Sequence, residues 1–168
     1  MAERQIVIYG DPVLREVAKP VEQIDQEIKD LVTDMADTVK EANGLGLAAP
    51  QVGQSKRIFI VDFSVIDMTA TLKVFINPEI VETEGEIEME EGCLSFPGIF
   101  QKITRPARVK VRATDVHGHQ FEMDAEGLAA RAILHEYDHL EGRLFIDLMS
   151  PMARTMLRGR LRKLSKAS

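Results

Sequence analysis

The chain has 168 residues, 45% of them hydrophobic and 29% charged, with a formal net charge of -6. That is enough chain for one domain with its own core, and too acidic a chain for broad nucleic-acid binding, which needs a basic surface. One cysteine cannot form an internal disulfide, and no apolar run approaches the roughly 20 residues that span a bilayer. Met1 to Gly10 has neither the plan of a signal peptide nor the Arg-rich, acid-poor make-up of a transit segment. The expected compartment is therefore the cytoplasm, with neither DNA nor a membrane as partner. Asp11 and Pro12 ahead of Val13 to Ala18 read as a cap and a first-turn proline opening a short helix that stops before Pro20. From Asp25 to Ala42, Ile28, Leu31, Val32, Met35 and Val39 recur at three- and four-residue spacing, which predicts an amphipathic helix ended by Asn43-Gly44.

The period then shortens. Arg57 to Phe63 and Leu72 to Ile76 are apolar runs bounded by polar or turn residues, and both read as strands. Ile80 to Glu84 and Glu86 to Cys93 flank Gly85, and in the second Ile87 and Met89 alternate with glutamates. Val109, Val111 and Ala113 alternate with Lys110 and Arg112, answered by Phe121 and Met123 across the hairpin turn His117-Gly118-His119. Helical spacing returns from about Ala125 to Leu140 and from about Ser150 to Leu164. Without a repeat, a low-complexity segment or a linker, residues 1–168 are expected to form one domain. Helix, many short strands, helix, helix predicts an α+β fold with mostly antiparallel pairing.

His135-Glu136-Tyr137-Asp138-His139 carries H-E-x-x-H inside the second of the longer helical stretches. Four residues of α-helix turn through about 400° and rise about 6 Å, so the two histidines share one face, one turn apart. Such a pair can hold one metal ion, and Glu136, one step round the helix, can reach a water on that ion without being a ligand. The ion brings the pKa of that water down to roughly 7. Three fixed positions also arise by chance on helix surfaces. Leu128 and Ala132, however, lie on the same side as the histidines and predict a buried face, where unpartnered imidazoles are costly.

A third ligand is needed, and Glu141 and Asp147 are poorly placed for it. The sole cysteine, in Glu91-Gly92-Cys93-Leu94-Ser95 at a strand end, is the candidate. Alone it reads more readily as a small buried hydrophobe than as a ligand. A thiolate and two imidazoles with an open fourth position form a catalytic set, suited to Fe(II), Zn(II), Co(II) or Ni(II) and not to Mg(II) or Ca(II). His117 and His119 have the spacing of a strand-borne ligand pair, but Gly118 and Asp115 make them an exposed turn, outside the site.

Three segments, in order, resemble the peptide deformylase family. Gly44-Leu45-Gly46-Leu47-Ala48-Ala49-Pro50-Gln51 is similar to its first motif, G-x-G-x-A-A-x-Q, and Glu91 to Ser95 to its second, E-G-C-L-S. His135 to His139 is similar to its third, Q-H-E-x-D-H, and the likeness runs from Gly10 to Arg15 through that motif. The resemblance implies a metallohydrolase that removes the N-formyl group from the initiator methionine of nascent polypeptides, releasing formate by metal-hydroxide attack. Cys93, His135 and His139 would hold one divalent ion per chain, Fe(II) in the cell, with Zn(II), Ni(II) or Co(II) as alternatives. Glu136 would act as general base and then acid. Gln51 and the backbone N–H of Leu94 would steady the oxyanion, each worth about 3 kcal/mol.

Further roles are implied by the same resemblance. The backbone at Gly46 would pair with the extended substrate, whose methionine would sit among Leu45, Met89, the stem of Arg131, Ala132 and His135. Glu91 would pair with Arg105 and orient the cysteine-bearing strand, although Glu91 also continues the acidic run from Glu82 to Glu90. Leu134 stands where the family has glutamine, and Arg131 where it has an aliphatic residue. The implied fold is short antiparallel sheets around a central metal-binding helix, with a C-terminal helix at about 150–164. In that helix Met152, Met156, Leu157, Leu161 and Leu164 form a stripe among Arg154, Arg158, Arg160, Arg162 and Lys163. It reads as a packing helix with a basic outer face, and, in a sharper reading, as a contact to ribosomal RNA. Two rivals make other predictions: a zinc endopeptidase without Cys93 as ligand, and a noncatalytic metal-binding or redox-sensing module with a closed four-ligand site. Neither accounts for the first motif.

Overall fold

A computed structural model describes residues 3–167 of the chain. Asp11 caps a single 3-10 turn, Pro12–Arg15, by accepting from the Val13 N–H. The chain leaves that turn extended at Glu16, so the helical signal there yields one turn and does not reach Ala18. Helix α1, Gln26–Glu41, starts where the Asp25 side chain accepts from the Ile28 N–H, satisfying one of the donors a helix start leaves open. The five apolar residues that predicted it, from Ile28 to Val39, are all buried.

Five antiparallel strands form the main sheet: β1 (Gly46–Ala48), β2 (Ile58–Asp62), β3 (Leu72–Glu84), β6 (Arg108–Thr114) and β7 (Gln120–Glu126), in the spatial order β1-β2-β3-β6-β7. Between β3 and β6 in sequence, β4 (Ile87–Gly92) and β5 (Phe100–Arg105) form a separate two-stranded sheet. The runs ending at Ile76 and starting at Ile80 are one strand, not two. Asn77-Pro78 lies at a register shift between Ile76 and Glu79, with Asn77 at a φ of 49°. A bulge there accommodates the missing proline N–H without ending the strand. Asn77 also accepts from the Val21 N–H and donates to the Val21 carbonyl, fastening the N-terminal segment to the sheet. Strands β1 and β5 gave no alternating signal: β1 has three residues, and of β5 only Ile103 and Arg105 are buried.

Strand β2 is buried along its whole length and faces two helices. Ile58 and Ile60 pack with Ile28, Met35 and Val39 of α1. Phe59 and Val61, on the opposite face by strand alternation, pack with Ala132, Ile133 and Leu134 of helix α2, Gly127–Leu140. This helix begins two residues later than its spacing predicted, because Ala125 and Glu126 finish β7 and the backbone turns at Gly127, where φ is 61°. Helix α3, Pro151–Ala167, buries Leu157 and Leu161 against Phe96, Ile99 and Phe145. Met152 and Met156, expected on that stripe, are 74% and 78% exposed, so the packed face is narrower. The architecture is α+β, as the pattern of periods predicts, with α2 lying between the main sheet and the hairpin.

Candidate metal centre

Helix α2 sets one imidazole above the other. The rings of His135 and His139 are 5.1 Å apart, and both residues are buried. Cys93 follows β4 directly, in a turn closed by the Phe96 N–H donating to the Cys93 carbonyl. Its Sγ lies 3.5 Å from His139 Nε2, and the ligand atoms of Cys93, His135 and His139 are all within 4.8 Å of one another. A tetrahedral ion with bonds of about 2.3 Å to sulfur and about 2.0–2.1 Å to nitrogen would separate the two by about 3.5 Å. The donor set therefore fits a single transition-metal ion.

The imidazoles are prepared differently. His135 Nδ1 lies 2.6 Å from Glu91 Oε1, which assigns the proton to Nδ1 and leaves Nε2 for a metal. Burial disfavours the His135 cation, but hydrogen bonds to Cys93 and Glu91 outweigh it and raise its pKa. The cation's second proton, on Nε2, would leave on metal binding. Burial holds His139 neutral, with its pKa well below the usual value, and its Nδ1 has no partner among the described residues.

Glu136 is buried one step round α2, and its Oε1 has no hydrogen-bond partner among the described residues. Burial lifts its pKa to about 7. A side chain at Gly46 would strike it, since a Cβ there would lie 2.8 Å from Glu136 Oε2. That contact explains a glycine in β1 at this point. Gln51, 1% exposed, accepts from the Ala48 N–H at 2.9 Å, which directs its amide nitrogen towards Ser95 Oγ at 3.2 Å and Cys93 Sγ at 3.5 Å. Ser95, fully buried, was not singled out from the sequence, although it closes the second motif.

A cleft of about 490 Å³ opens beside these groups. Leu45, Gly46, Leu94, Ala132, His135 and Glu136 line it, together with Cys93 and Arg131. Met89 is not in its lining; it is half-buried on β4, opposite Ile103 of β5. Phe96, Phe100 and Leu128 take part instead. Leu128 was expected to be buried, but in the first turn of α2 it is 38% exposed at the cleft. The ring of Phe100 lies over its cross-strand partner Gly92, where a Cβ would come within 2.5 Å of it.

Glu91 is buried and so does not belong to the solvated acidic run. It accepts from Arg105 Nε at 2.6 Å and from Arg105 Nη2 at 2.9 Å, the expected pair. Burial opposes its charge, but hydrogen bonds with His135 and Arg105 outweigh that and hold its pKa far below the usual carboxylate range. Arg105 also donates to Asp138 Oδ2 at 2.8 Å, a role for Asp138 that the sequence reading did not assign. Arg131 lies along the cleft, but its guanidinium is turned inwards to Glu91 Oε2 and to the Ile87 carbonyl. Leu134 packs with Phe59 and Phe75, an apolar setting that asks for no hydrogen bond. His117 and His119 lie in the turn between β6 and β7, where the His119 side chain is 80% exposed, away from the centre.

Residues 3–155 match the family model for polypeptide deformylases. The chain belongs to the polypeptide deformylase family. It is 47% identical over 167 residues to a peptide deformylase of Acidobacterium capsulatum, covering 99% of this chain and 98% of that one. To the peptide deformylase of Clostridium botulinum it is 54% identical over 147 residues, covering 88% and 97%. The crystal structure of a peptide deformylase from Legionella pneumophila superposes with a TM-score of 0.90 at 45% identity, over 99% of this chain and 97% of that one. That from Thermus thermophilus gives 0.90 at 38% identity, over 98% of each. Deformylases are metal-dependent hydrolases, and the Cys93, His135 and His139 cluster is where this member can hold its ion.

Proposed function

We propose that this chain, acting as one domain over residues 1–168, hydrolyses the N-formyl group from the initiator methionine of nascent polypeptides and releases formate. The observation that carries this reading is the convergence of Cys93, His135 and His139 beside a cleft that also holds Glu136. A divalent ion bound there supplies Lewis acidity, making water a nucleophile at neutral pH. Fe(II) is proposed as the ion in the cell, with Zn(II), Ni(II) or Co(II) able to replace it; thiolate ligation suits all four.

The remaining steps belong to side chains and backbone. Glu136 takes a proton from the attacking water and returns it to the leaving amine. Burial lifts this carboxyl to about 7 in the metal-free protein, and a dication beside it would bring it down from there, into a range that serves both transfers. The Gln51 amide and the Leu94 N–H donate to the carbonyl oxygen as it gains charge, and the Ala48 N–H keeps the Gln51 amide aimed. Backbone at Gly46 pairs with the extended peptide, and the missing side chain leaves Glu136 room. The methionine side chain fits beside Leu45, Ala132, His135 and the stem of Arg131, with Phe96 or Leu128 in the place foreseen for Met89.

Among the described residues no helix is long and apolar enough to cross a membrane. The proposed substrate, a nascent chain, places the work in the cytoplasm. Arg154, Arg158, Arg162 and Lys166 line one groove of α3 beside Tyr9, a surface suited to ribosomal RNA. The decisive test is formate release from a formyl-Met-Ala-Ser peptide by protein prepared without oxygen and loaded with Fe(II) or Ni(II), beside Glu136→Ala. Rapid release lost in the variant supports the reading, and cleavage of internal peptide bonds instead would favour an endopeptidase. For the ribosome contact, unchanged co-sedimentation at low salt after deletion beyond Arg158 would count against it.

A further inference from the structure

An ionised carboxylate offers about four lone-pair positions, and Glu91 has all of them occupied. Oε1 receives Arg105 Nη2 at 2.9 Å and His135 Nδ1 at 2.6 Å; Oε2 receives Arg105 Nε at 2.6 Å and Arg131 Nη1. Arg131 lies on α2 one turn before His135, and its second nitrogen, Nη2, donates to the Ile87 carbonyl at 2.7 Å. It therefore grips β4 at its first residue and again at Glu91, two residues before Cys93.

The hairpin of β4 and β5 shares no hydrogen-bond ladder with the main sheet. The turn that carries Cys93 is held by Gln51 and by the Tyr9 N–H on Ser95, and its spacing from the two histidines depends further on side chains that cross from hairpin to α2. A cleft wall alone would not select an arginine. Arg131 is 2% exposed, and its Nε is buried without a partner among the described residues. A leucine or methionine would line the same space without the cost of burying a cation. What only arginine supplies is a planar fork that holds two acceptors at a fixed separation.

We propose that Arg131 is a positioning residue of the metal centre, clamping the strand that carries Cys93 to the helix that carries His135 and His139. This rests on those three residues being the metal ligands. It does not depend on which substrate is hydrolysed.

The test compares Arg131→Met, which keeps the stem and removes both donors, with Arg131→Lys and wild type, each loaded with Co(II). Loss of Co(II) to a chelator should be about 10- to 100-fold faster in Arg131→Met, with Arg131→Lys between. The thiolate-to-cobalt and ligand-field bands should shift, and kcat should fall while KM stays close to wild type. Unchanged metal loss and spectrum with a raised KM would make Arg131 a cleft wall and overturn the proposal. So would a lower melting temperature, equal with and without metal, at an unchanged rate of metal loss. If Arg131→Met does not fold, metal loss from Arg131→Lys at the wild-type rate overturns it alone. Wild type that binds Co(II) but releases no formate sinks the deformylase reading and leaves the Arg131 comparison valid. Wild type that binds no Co(II) sinks both.

Discussion

Strand β2 of the main sheet is buried at all five residues, pressing Ile58 and Ile60 towards α1 and Phe59 and Val61 towards α2. In β4 of the hairpin the only buried residue is Glu91, a carboxylate. Across from it, β5 buries Ile103 and Arg105. The sheet is thus held by apolar area, a non-directional force indifferent to pH. The hairpin, although Ile103 joins the apolar cluster beneath α3, is tied to α2 by a buried charge network that fails when one partner is lost. Both regions meet at the metal centre, with the histidines on the helix packed by the sheet and the cysteine on the strand tied by charge.

The largest effects should fall equally on stability and unequally on the metal. Phe59→Ala should cost about 3–5 kcal/mol through the cavity it leaves. Glu91→Ala should cost about 3–5 kcal/mol by leaving the buried Arg131 guanidinium without a carboxylate and Arg105 with Asp138 alone. In urea titrations near pH 7 the two should look alike. Chelator challenge should separate them, with metal retained by Phe59→Ala and lost quickly by Glu91→Ala. Equal retention would mean that charge does not hold the hairpin in place.

Two buried glutamates with opposite settings sharpen the contrast. Glu91, with every lone pair filled, has its pKa held far below the 4.5 of a free carboxyl. Its stabilisation is therefore present above about pH 4.5 and drains away as pH falls towards the folded value. The deficit of Glu91→Gln relative to wild type should shrink below that pH, and the deficit of Phe59→Ala should not. Glu136 behaves in the opposite sense. Its pKa is raised from 4.5 to about 7 by burial, so the metal-free protein loses stability as pH rises through that window. Above pH 7 the loss approaches about 3 kcal/mol. Metal-free Glu136→Gln should escape it, and a parallel decline of both proteins between pH 5 and 8 would refute this. A dication nearby lowers the carboxyl's pKa, so the acid limb of kcat/KM in the loaded enzyme should lie at or below 7.

How far each region could be read from the sequence follows the same division. Helix α1 and the β6–β7 hairpin announce themselves by period, because burying one face of a helix or strand repeats its apolar residues. Cys93, His135, His139 and Glu136 were legible from spacing and motif, because a metal demands particular side chains in particular places. Strand β5 was not legible: its buried Arg105 looks polar, and the partner that makes burial tolerable is 14 residues away on another strand. Arg131 was read as a stem in a pocket for the same reason, since no periodicity reveals where a guanidinium finds its carboxylate. The join in β3 at Asn77-Pro78 stayed hidden because proline usually ends a strand, and only the bulge shows that it need not.

The smallest effect concerns the far edge of the hairpin's loop. Arg160 of α3 donates through Nη2 to the Gly98 carbonyl, and Gly98 lines the cleft between Cys93 and β5. This is one exposed hydrogen bond, worth about 0.5–1.5 kcal/mol at most, beside a loop already anchored by buried Phe96 and Ile99. Arg160→Ala should therefore leave metal retention unchanged and lower stability by no more than about 1.5 kcal/mol. If the loop's position matters to peptide binding, that hydrogen bond converts to a rise in KM of about two- to tenfold with kcat preserved. A fall in kcat or faster metal loss would show that α3 reaches the centre itself, and that the hairpin leans on a third support beyond Glu91 and the arginines.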